Sequence, residues 1–133
     1  MQWVDRVMRA MGFGCLFWRW VAALHWGARA AFMLHSLSPV LLILFSVRQG
    51  DPLAMLLFVI QIEPLLAALE RELHGLHVGL AREASFGYVD DVLALGTDIR
   101  DLGTMDRLVA AYEAASSAIL NWNRKSVIVG LGQ

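Results

Sequence analysis

The sequence predicts an α+β fold, and three observations support this class. The chain has 133 residues, which suits one domain with one core. A long apolar segment that follows Asp51-Pro52 carries helix signals, whereas "SFGYVDDVLAL" (85–95) has the composition of two short strands. Helical and strand-like segments mix without the regular alternation that is typical of a parallel α/β sheet.

The N-terminal part predicts two helices and a hairpin. A short helix covers Trp3–Met11 and ends at Gly12, because glycine favours helix ends, and a second covers Leu16–His25. Two strands, Ala28–Leu34 and Val40–Val47, would pair through the Ser- and Pro-containing turn between them.

A long helix is predicted from Pro52 to about Leu73. Asp51 suits the N-cap, proline suits the first helical position, and Gly75 is a stop signal. Pro64 should kink the helix, because proline lacks the N–H group and crowds the preceding turn. The first half is apolar nearly all round, so we expect it to be buried.

The C-terminal part predicts one more helix and a last strand. Thr97 or Asp98 caps a helix that is broken near Gly103 and extends to about Leu120. After the turn "NWNRK", the β-branched segment Ser126–Leu131 predicts a strand.

Apolar residues make up 58% of the chain and the mean hydropathy is +0.56, so a membrane protein is an alternative. The two most apolar windows, "LSPVLLILFSV" and "LAMLLFVIQI", end at Arg48 and at Glu63-Pro64. Spanning a bilayer takes about 20 apolar residues, and both windows are shorter. We therefore interpret them as core elements and predict no membrane partner.

Charge and cysteine content bound the environment of the chain. The net charge of −1 differs from the basic surplus of a self-sufficient nucleic-acid binder. Cys15 is the only cysteine, so an intrachain disulfide is excluded, which fits a reducing compartment. No signal peptide is visible at the N-terminus. We expect an intracellular protein, in the cytoplasm or the nucleus.

Adjacent aspartates occupy the middle of the predicted hairpin. Alternation places Phe86, Tyr88 and Asp90 on one face, with Asp90 at the end of the first strand and Asp91 in the turn. Two carboxylates repel each other, but a hard divalent cation such as Mg²⁺ cancels the repulsion and prefers oxygen ligands. A plain surface hairpin remains the alternative, because aspartate also suits turns.

Three motifs in order carry a family resemblance. They are "SVRQGDPLAMLLFVIQIEPLL", "FGYVDDVLAL" and "LNWNRKSVIVGLG". Together they resemble the palm region of reverse transcriptases of non-LTR (LINE-like) retrotransposons. The segment "VMRAMGFGCLFWRWVAALH" is similar to the stretch between the first catalytic motif of that family and its "RQGDPLS" motif. The resemblance covers residues 1–133 as a partial reverse transcriptase domain. It implies a palm in which the YVDD hairpin packs against long helices.

The resemblance also implies the site chemistry. Asp90 and Asp91 match the aspartate pair that holds catalytic Mg²⁺, with Mn²⁺ as a possible substitute, and the first aspartate of the family's pair is the firmer ligand. Lys125 matches a lysine that would assist the departing pyrophosphate, with a solvated turn lysine as the alternative. Partners would be an RNA template, a DNA primer and deoxynucleotides, together with the finger and thumb regions of the parent polypeptide.

The loop before the long helix would lie beside the nucleotide and template. Gln49 and Gly50 match this loop, since glycine allows close backbone approach and glutamine both donates and accepts. Arg48 could bind a phosphate or a carboxylate. Tyr88 would pack beside the acidic turn or line the primer side.

The sequence also departs from the family. The first catalytic aspartate motif, which precedes "MGFG" in the family, is not found, and Asp5 is the only upstream candidate. Ser46 replaces a glycine, and "NWNRKS" is one residue longer than the commonest spacing. We therefore expect the chain alone to be inactive as a polymerase.

Two other functions remain open. One is a catalytically inactive remnant of a retroelement, which shares every residue with the first interpretation. The other is a small helical membrane or interaction protein in which YVDD is coincidental. We interpret His74 and His77 as surface or loop histidines. Most tryptophans are interpreted as core residues or as surface that faces missing domains; the five are Trp3, Trp18, Trp20, Trp26 and Trp122.

Overall fold

A computed structural model describes residues 2–25, 29–31, 33, 39–42, 52–88, 91–121 and 127–129. The described elements are helices and short antiparallel strand pairs, which confirms the α+β class. The chain divides into two compact units. The first comprises Met1–Pro64 with Gly87–Asp91, and the second comprises Leu65–Phe86 with Val92–Gln133.

The first unit begins with the two predicted helices. Helix α1 covers Gln2–Ala10 and helix α2 covers Cys15–His25, and Gly12 between them has a φ of +82°. Apolar residues at helical spacing on α1 pack with residues of α2 and of the next helix. The core of this unit consists of Val4, Val7, Met8, Val21, Leu57 and Ile60.

The predicted N-terminal hairpin is confirmed as a short antiparallel pair. Strand β1 covers Arg29–Ala30 and strand β2 covers Leu41–Leu42, with Arg29 opposite Leu42. The rest of the second predicted strand, residues 43–47, lies outside the described residues.

Helix α3 covers Pro52–Glu72 and includes Pro64, as predicted. The expectation that its first half is buried is wrong in part. Leu57 and Ile60 are buried, but other apolar residues on α3 are exposed; they are Met55 (60%), Leu56 (47%) and Val59 (47%). The described neighbours cover one side of the helix only, so an all-round apolar sequence leaves an uncovered side.

Helix α3 also changes the argument about membranes. Its segment Leu53–Glu72 is long and apolar enough to cross a membrane, with a mean hydropathy of 1.9, because the helix continues through Glu63 and Pro64. The ten-residue window therefore understated the length. Core helices of soluble proteins meet the same criterion, and the absence of a membrane partner stays a prediction.

The second unit contains a hairpin that the sequence did not predict. Strands β3 (Leu76–Val78) and β4 (Ala81–Glu83) pair antiparallel across a two-residue turn. Gly79 at the first turn position has a φ of +65°, a conformation that suits glycine in tight hairpins. Buried residues of this unit are Leu65, Leu69, Leu73, Ala84, Leu108, Val109 and Tyr112.

Strands β5 (Ser85–Tyr88) and β6 (Asp91–Ala94) form the next pair, as predicted. Helix α4 then covers Ile99–Ser116 with Asp98 as its N-cap. It continues through Gly103 without a break and ends at Ser116, with Ser117 as its C-cap, so the predicted break and the end near Leu120 are wrong.

The predicted last strand is not found in its described part. Residues 127–129 have no strand conformation, and all three side chains are more than 70% exposed. A strand needs a partner edge for its backbone groups, and the described neighbours provide none here. The other residues of this prediction lie outside the described ranges.

Candidate functional site

The acidic hairpin has a two-residue connection. Strand β5 ends at Tyr88 and strand β6 begins at Asp91, so Val89 and Asp90 alone join them. Strands that are joined so closely must be antiparallel. Asp91 is the first residue of β6, so its predicted place in the turn is wrong. The second strand begins at Asp91, whereas the sequence predicted this residue in the turn before the strand.

Asp91 and Tyr88 are both accessible to a ligand. The Tyr88 residue is 81% exposed, and Asp91 is also exposed. The Asp91 carboxylate makes no hydrogen bond or ion pair with another side chain in the described part of the chain. Within those same ranges, no group of three or more histidine, cysteine, aspartate or glutamate residues could hold a metal ion.

Glu70 of α3 holds the beginning of β5. Its Oε2 accepts the backbone N–H groups of Ala84, at 2.9 Å, and Ser85, at 3.0 Å. The Ser85 hydroxyl donates to the carbonyl of Leu66 at 3.2 Å. The N–H of Leu95, which follows β6, donates to the carbonyl of Ala84 at 2.8 Å. The base of the hairpin is therefore attached to α3 and closed on itself.

Arg82 of β4 supports Glu70 and completes the end of α3. Its Nη2 lies 3.1 Å from Glu70 Oε1 and also donates to the carbonyl of Glu70. Its Nη1 donates to the carbonyl of Leu73 at 2.9 Å. The last carbonyls of a helix lack intrahelical partners and favour a cation, so this arginine stabilises the C-terminus of α3.

Asp101 of α4 holds the segment after β6. Its side chain is only 3% exposed, and Oδ2 accepts the backbone N–H groups of Thr97, at 2.9 Å, and Asp98, at 3.2 Å. The Asp98 side chain accepts the backbone N–H of Asp101 in return, which forms a capping box, and it also accepts the N–H of Arg100.

Asp101 also contacts His74, just after α3. Its Oδ1 lies 2.8 Å from His74 Nδ1 and accepts the His74 N–H at 3.4 Å. Burial raises the pKa of Asp101, but hydrogen bonds from His74 and from the backbone of Asp98 and Thr97 outweigh it. The pKa is therefore lower than usual.

The structure describes only part of the predicted site. Tyr88 and Asp91 lie in the hairpin, whereas the other candidates lie outside the described residues; these are Arg48, Gln49, Gly50, Asp90 and Lys125. Asp5, the upstream candidate, lies on α1 and pairs with Arg9 at 2.8 Å.

The remaining interpretations have mixed outcomes. His77 is exposed on β3, as expected of a surface histidine, whereas His74 is bonded to a buried carboxylate. Trp3 donates to the carbonyl of Gln61 at 3.0 Å, and Trp3 and Trp18 both pack on the core of the first unit. Trp20 is 69% exposed.

Sequence reasoning missed Glu70 and Asp101. The spacing of Asp98 and Asp101 is that of a capping box and could have identified the second residue. Glu70 carries no comparable signal, because its partners are the backbone N–H groups of Ala84 and Ser85, 14 and 15 residues further along the chain.

The described structure is a chain of helices and short hairpins in which Asp91 begins the second strand of one hairpin. This chain is 32% identical over 128 residues to the Transposon TX1 uncharacterized 149 kDa protein of Xenopus laevis. The aligned region covers 94% of the chain and 10% of that protein, so the chain spans about a tenth of the length of its relative. It is related to a transposon protein. No family model and no solved structure matches it.

Proposed function

We propose that the chain is a palm segment of an RNA-directed DNA polymerase, a reverse transcriptase of the non-LTR retrotransposon type. The observation that carries the proposal is the relation to a transposon protein over nearly the whole chain. The order of the three motifs and the two-residue acidic hairpin between β5 and β6 support it.

The residues at the hairpin fit a hard divalent cation. Carboxylate oxygens are the ligands that Mg²⁺ prefers, and the exposed Asp91 carboxylate is not engaged by any other described side chain. Asp90 and Asp91 would hold Mg²⁺ or Mn²⁺. When bound, such a cation supplies the positive charge that stabilises phosphoryl transfer to a primer hydroxyl.

The other candidate residues would bind substrates rather than metal. Gln49 and Gly50 would contact the incoming deoxynucleotide and the RNA template, and Arg48 would bind a phosphate. Tyr88 is exposed next to the connection and would line the DNA primer side. Lys125 would donate a proton to the departing pyrophosphate or neutralise it. Other regions of the parent polypeptide would hold the primer and template.

Helix α3 supports a second candidate, a small membrane or interaction protein. Its segment Leu53–Glu72 could cross a membrane by length and composition, and only 28% of it is buried. Against this, the Trp3 indole donates to the backbone of Gln61, and Leu57 and Ile60 are core residues. An inactive retroelement remnant would share the fold and the motifs of a polymerase segment.

A chimaera tests the proposal. Residues 1–133 replace the aligned segment of a complete related polymerase, and incorporation of deoxynucleotides on a primed RNA template is measured with Mg²⁺. We expect incorporation that Asp90→Asn abolishes, while Asp106→Asn on α4 leaves it unchanged. We expect none from the chain alone, because holding a nucleic acid takes several phosphate contacts and its net charge is −1. An inactive chimaera, with the parent active, would favour the remnant.

A further inference from the structure

We propose that Glu70 is a positioning residue for the aspartate pair, an inference that rests on the proposed function. Its carboxylate holds the residues at which strand β5 begins, and β5 leads along the chain to the aspartate pair. Glu70 lies on α3, 20 positions before Asp90. It is not one of the residues that the family resemblance assigns to the metal. It would act through the hairpin, without contact to metal or substrate.

The contacts of Glu70 divide between its two carboxylate oxygens. Oε2 accepts two consecutive N–H groups, from Ala84 and Ser85, at 2.9 and 3.0 Å. Oε1 lies 3.1 Å from the guanidinium of Arg82, which holds the carboxylate in its orientation. Ala84 is fully buried, so its N–H has no access to water if the carboxylate is removed.

The second end of the hairpin is fixed in the same way. The N–H of Leu95 donates to the Ala84 carbonyl, and the next backbone donors, from Thr97 and Asp98, bind the buried carboxylate of Asp101. Two carboxylates from two helices therefore hold the segments that enter and leave the hairpin. The strands between them have only each other as a ladder partner among the described strands.

The length of the strand makes the base important for the aspartates. Tyr88 lies three positions after Ser85, which is about 10 Å of strand at roughly 3.3 Å per residue. A tilt of about 10° at the base would move the end of such a strand by roughly 2 Å. Misplacement by about 1 Å can lower a rate about 100-fold, so loss of this anchor should reach the chemistry.

Metal binding by the 133-residue chain provides a test that needs no catalysis. Free Mn²⁺ is measured by electron paramagnetic resonance during titration, and hydrogen exchange is followed over residues 91–95. We expect Glu70→Ala to weaken Mn²⁺ binding at least fivefold and to accelerate exchange at β6 at least tenfold. Glu70→Gln keeps an acceptor oxygen for Ala84 and Ser85 but loses the ion pair with Arg82, so its Mn²⁺ affinity and its exchange rates at β6 should lie between those of Glu70→Ala and the wild type.

Glu72 provides the matched control. It lies on the same helix and pairs with Arg71, at 3.2 Å, and with Arg107, at 2.5 Å, but it bonds to no described residue of the hairpin. Glu72→Ala should lose these ion pairs and keep both the Mn²⁺ affinity and the exchange pattern of β6. If Glu70→Ala fails to fold by circular dichroism, Glu70→Asp, which withdraws the carboxylate by one methylene, takes its place with the same expectation.

The outcomes separate this inference from the proposed function. An unchanged Mn²⁺ affinity in the folded Glu70 variant, or no Mn²⁺ binding by the wild type, would overturn the positioning role. In the chimaera, Glu70→Ala should lower kcat at least tenfold and raise the Mg²⁺ concentration for half-maximal rate, with the KM for deoxynucleotide little changed. If the wild-type chimaera is active and Glu70→Ala changes neither its kcat nor its Mg²⁺ dependence, only the inference is refuted. If the wild-type chimaera is inactive, only the proposed function is refuted.

Discussion

The imidazole Nδ1 of His74 lies 2.8 Å from Oδ1 of Asp101, although the histidine side chain is 65% exposed and the carboxylate is 3% exposed. The same carboxylate accepts backbone N–H groups from Thr97 and Asp98. One buried side chain therefore joins the segment after α3 to the N-terminus of α4. Loss of any of these donors leaves part of the buried carboxylate without a hydrogen-bond partner, which destabilises the fold.

Replacing Asp101 by asparagine should destabilise the fold. The amide keeps one acceptor oxygen and turns its NH₂ group either toward the N–H groups of Thr97 and Asp98 or toward His74, so at least one of the hydrogen bonds to the carboxylate is lost. We expect a loss of about 1–3 kcal/mol in the free energy of unfolding, measured by urea denaturation. Asp106→Asn, on the exposed side of α4, should change it by less than about 0.5 kcal/mol. Equal effects of the two substitutions would contradict the structural role of Asp101.

Stability should fall in acid because of the same carboxylate. The pKa of Asp101 is lowered from its ordinary value of 3.8, since the hydrogen bonds to the charged form outweigh burial, which raises it. A lowered pKa in the folded state contributes stability above pH 3.8, and this contribution disappears as the pH falls through the folded value. Unfolding free energies measured between pH 2.5 and 6 should show this loss for the wild type.

The Asp101→Asn variant should lose less stability over that acid range. Glu72 contributes in the same direction, because hydrogen bonds from Arg107 and then Arg71 lower its pKa. The ion pairs of Glu72 are exposed, so added salt should reduce the contribution of Glu72 to the pH dependence of stability. The contribution of Asp101 should remain. Identical acid profiles for wild type and variant in high salt would show that Asp101 is not the titrating group.

Two glycines should respond to alanine in opposite directions. Gly75 has a φ of +67°, and a Cβ there would lie 2.7 Å from the Glu83 carbonyl oxygen, so Gly75→Ala should cost at least about 1 kcal/mol. Gly103 lies inside α4 with nothing within 4 Å of an added Cβ, so Gly103→Ala should add about 0.5–1 kcal/mol. The melting temperatures of both variants measure these effects. A stabilising Gly75→Ala would contradict the positive φ at Gly75.

The sequence predicted what local chemistry determines. Asp98 as an N-cap, Pro52 at the start of α3 and Gly75 at its end follow from backbone geometry that each residue favours, and all three are confirmed. It failed where partners distant in the chain decide. The uncovered side of α3 depends on which elements reach it, and the anchor at Glu70 depends on a strand that begins 15 residues later.

The uncovered side of α3 should make the isolated chain associate. Met55, Leu56 and Val59 are each about half exposed or more, and contiguous apolar surface favours self-association. Glutamine at all three positions should raise the fraction of monomer in light scattering at high concentration, whereas glutamine at the buried Leu57 should unfold the chain instead. A wild-type chain that stays monodisperse and monomeric would contradict this prediction.

The last prediction ranks the two aspartates of the hairpin in the chimaera. The alternation argument gave Asp91 the turn, with more freedom and the smaller role, but Asp91 begins β6 and its backbone is part of a strand. We still expect Asp90→Asn to cost the most, about 2–3 kcal/mol of barrier or roughly a hundredfold in rate, because the first aspartate of such pairs is the firmer ligand in the resembling family. Because the strand fixes the backbone of Asp91, Asp91→Asn should still cost about tenfold, roughly 1.4 kcal/mol. Single-turnover rates at saturating Mg²⁺, with Asp106→Asn as the control, measure both. Equal losses would remove the ranking, and an Asp91 variant within twofold of the wild type would place its carboxylate away from the metal.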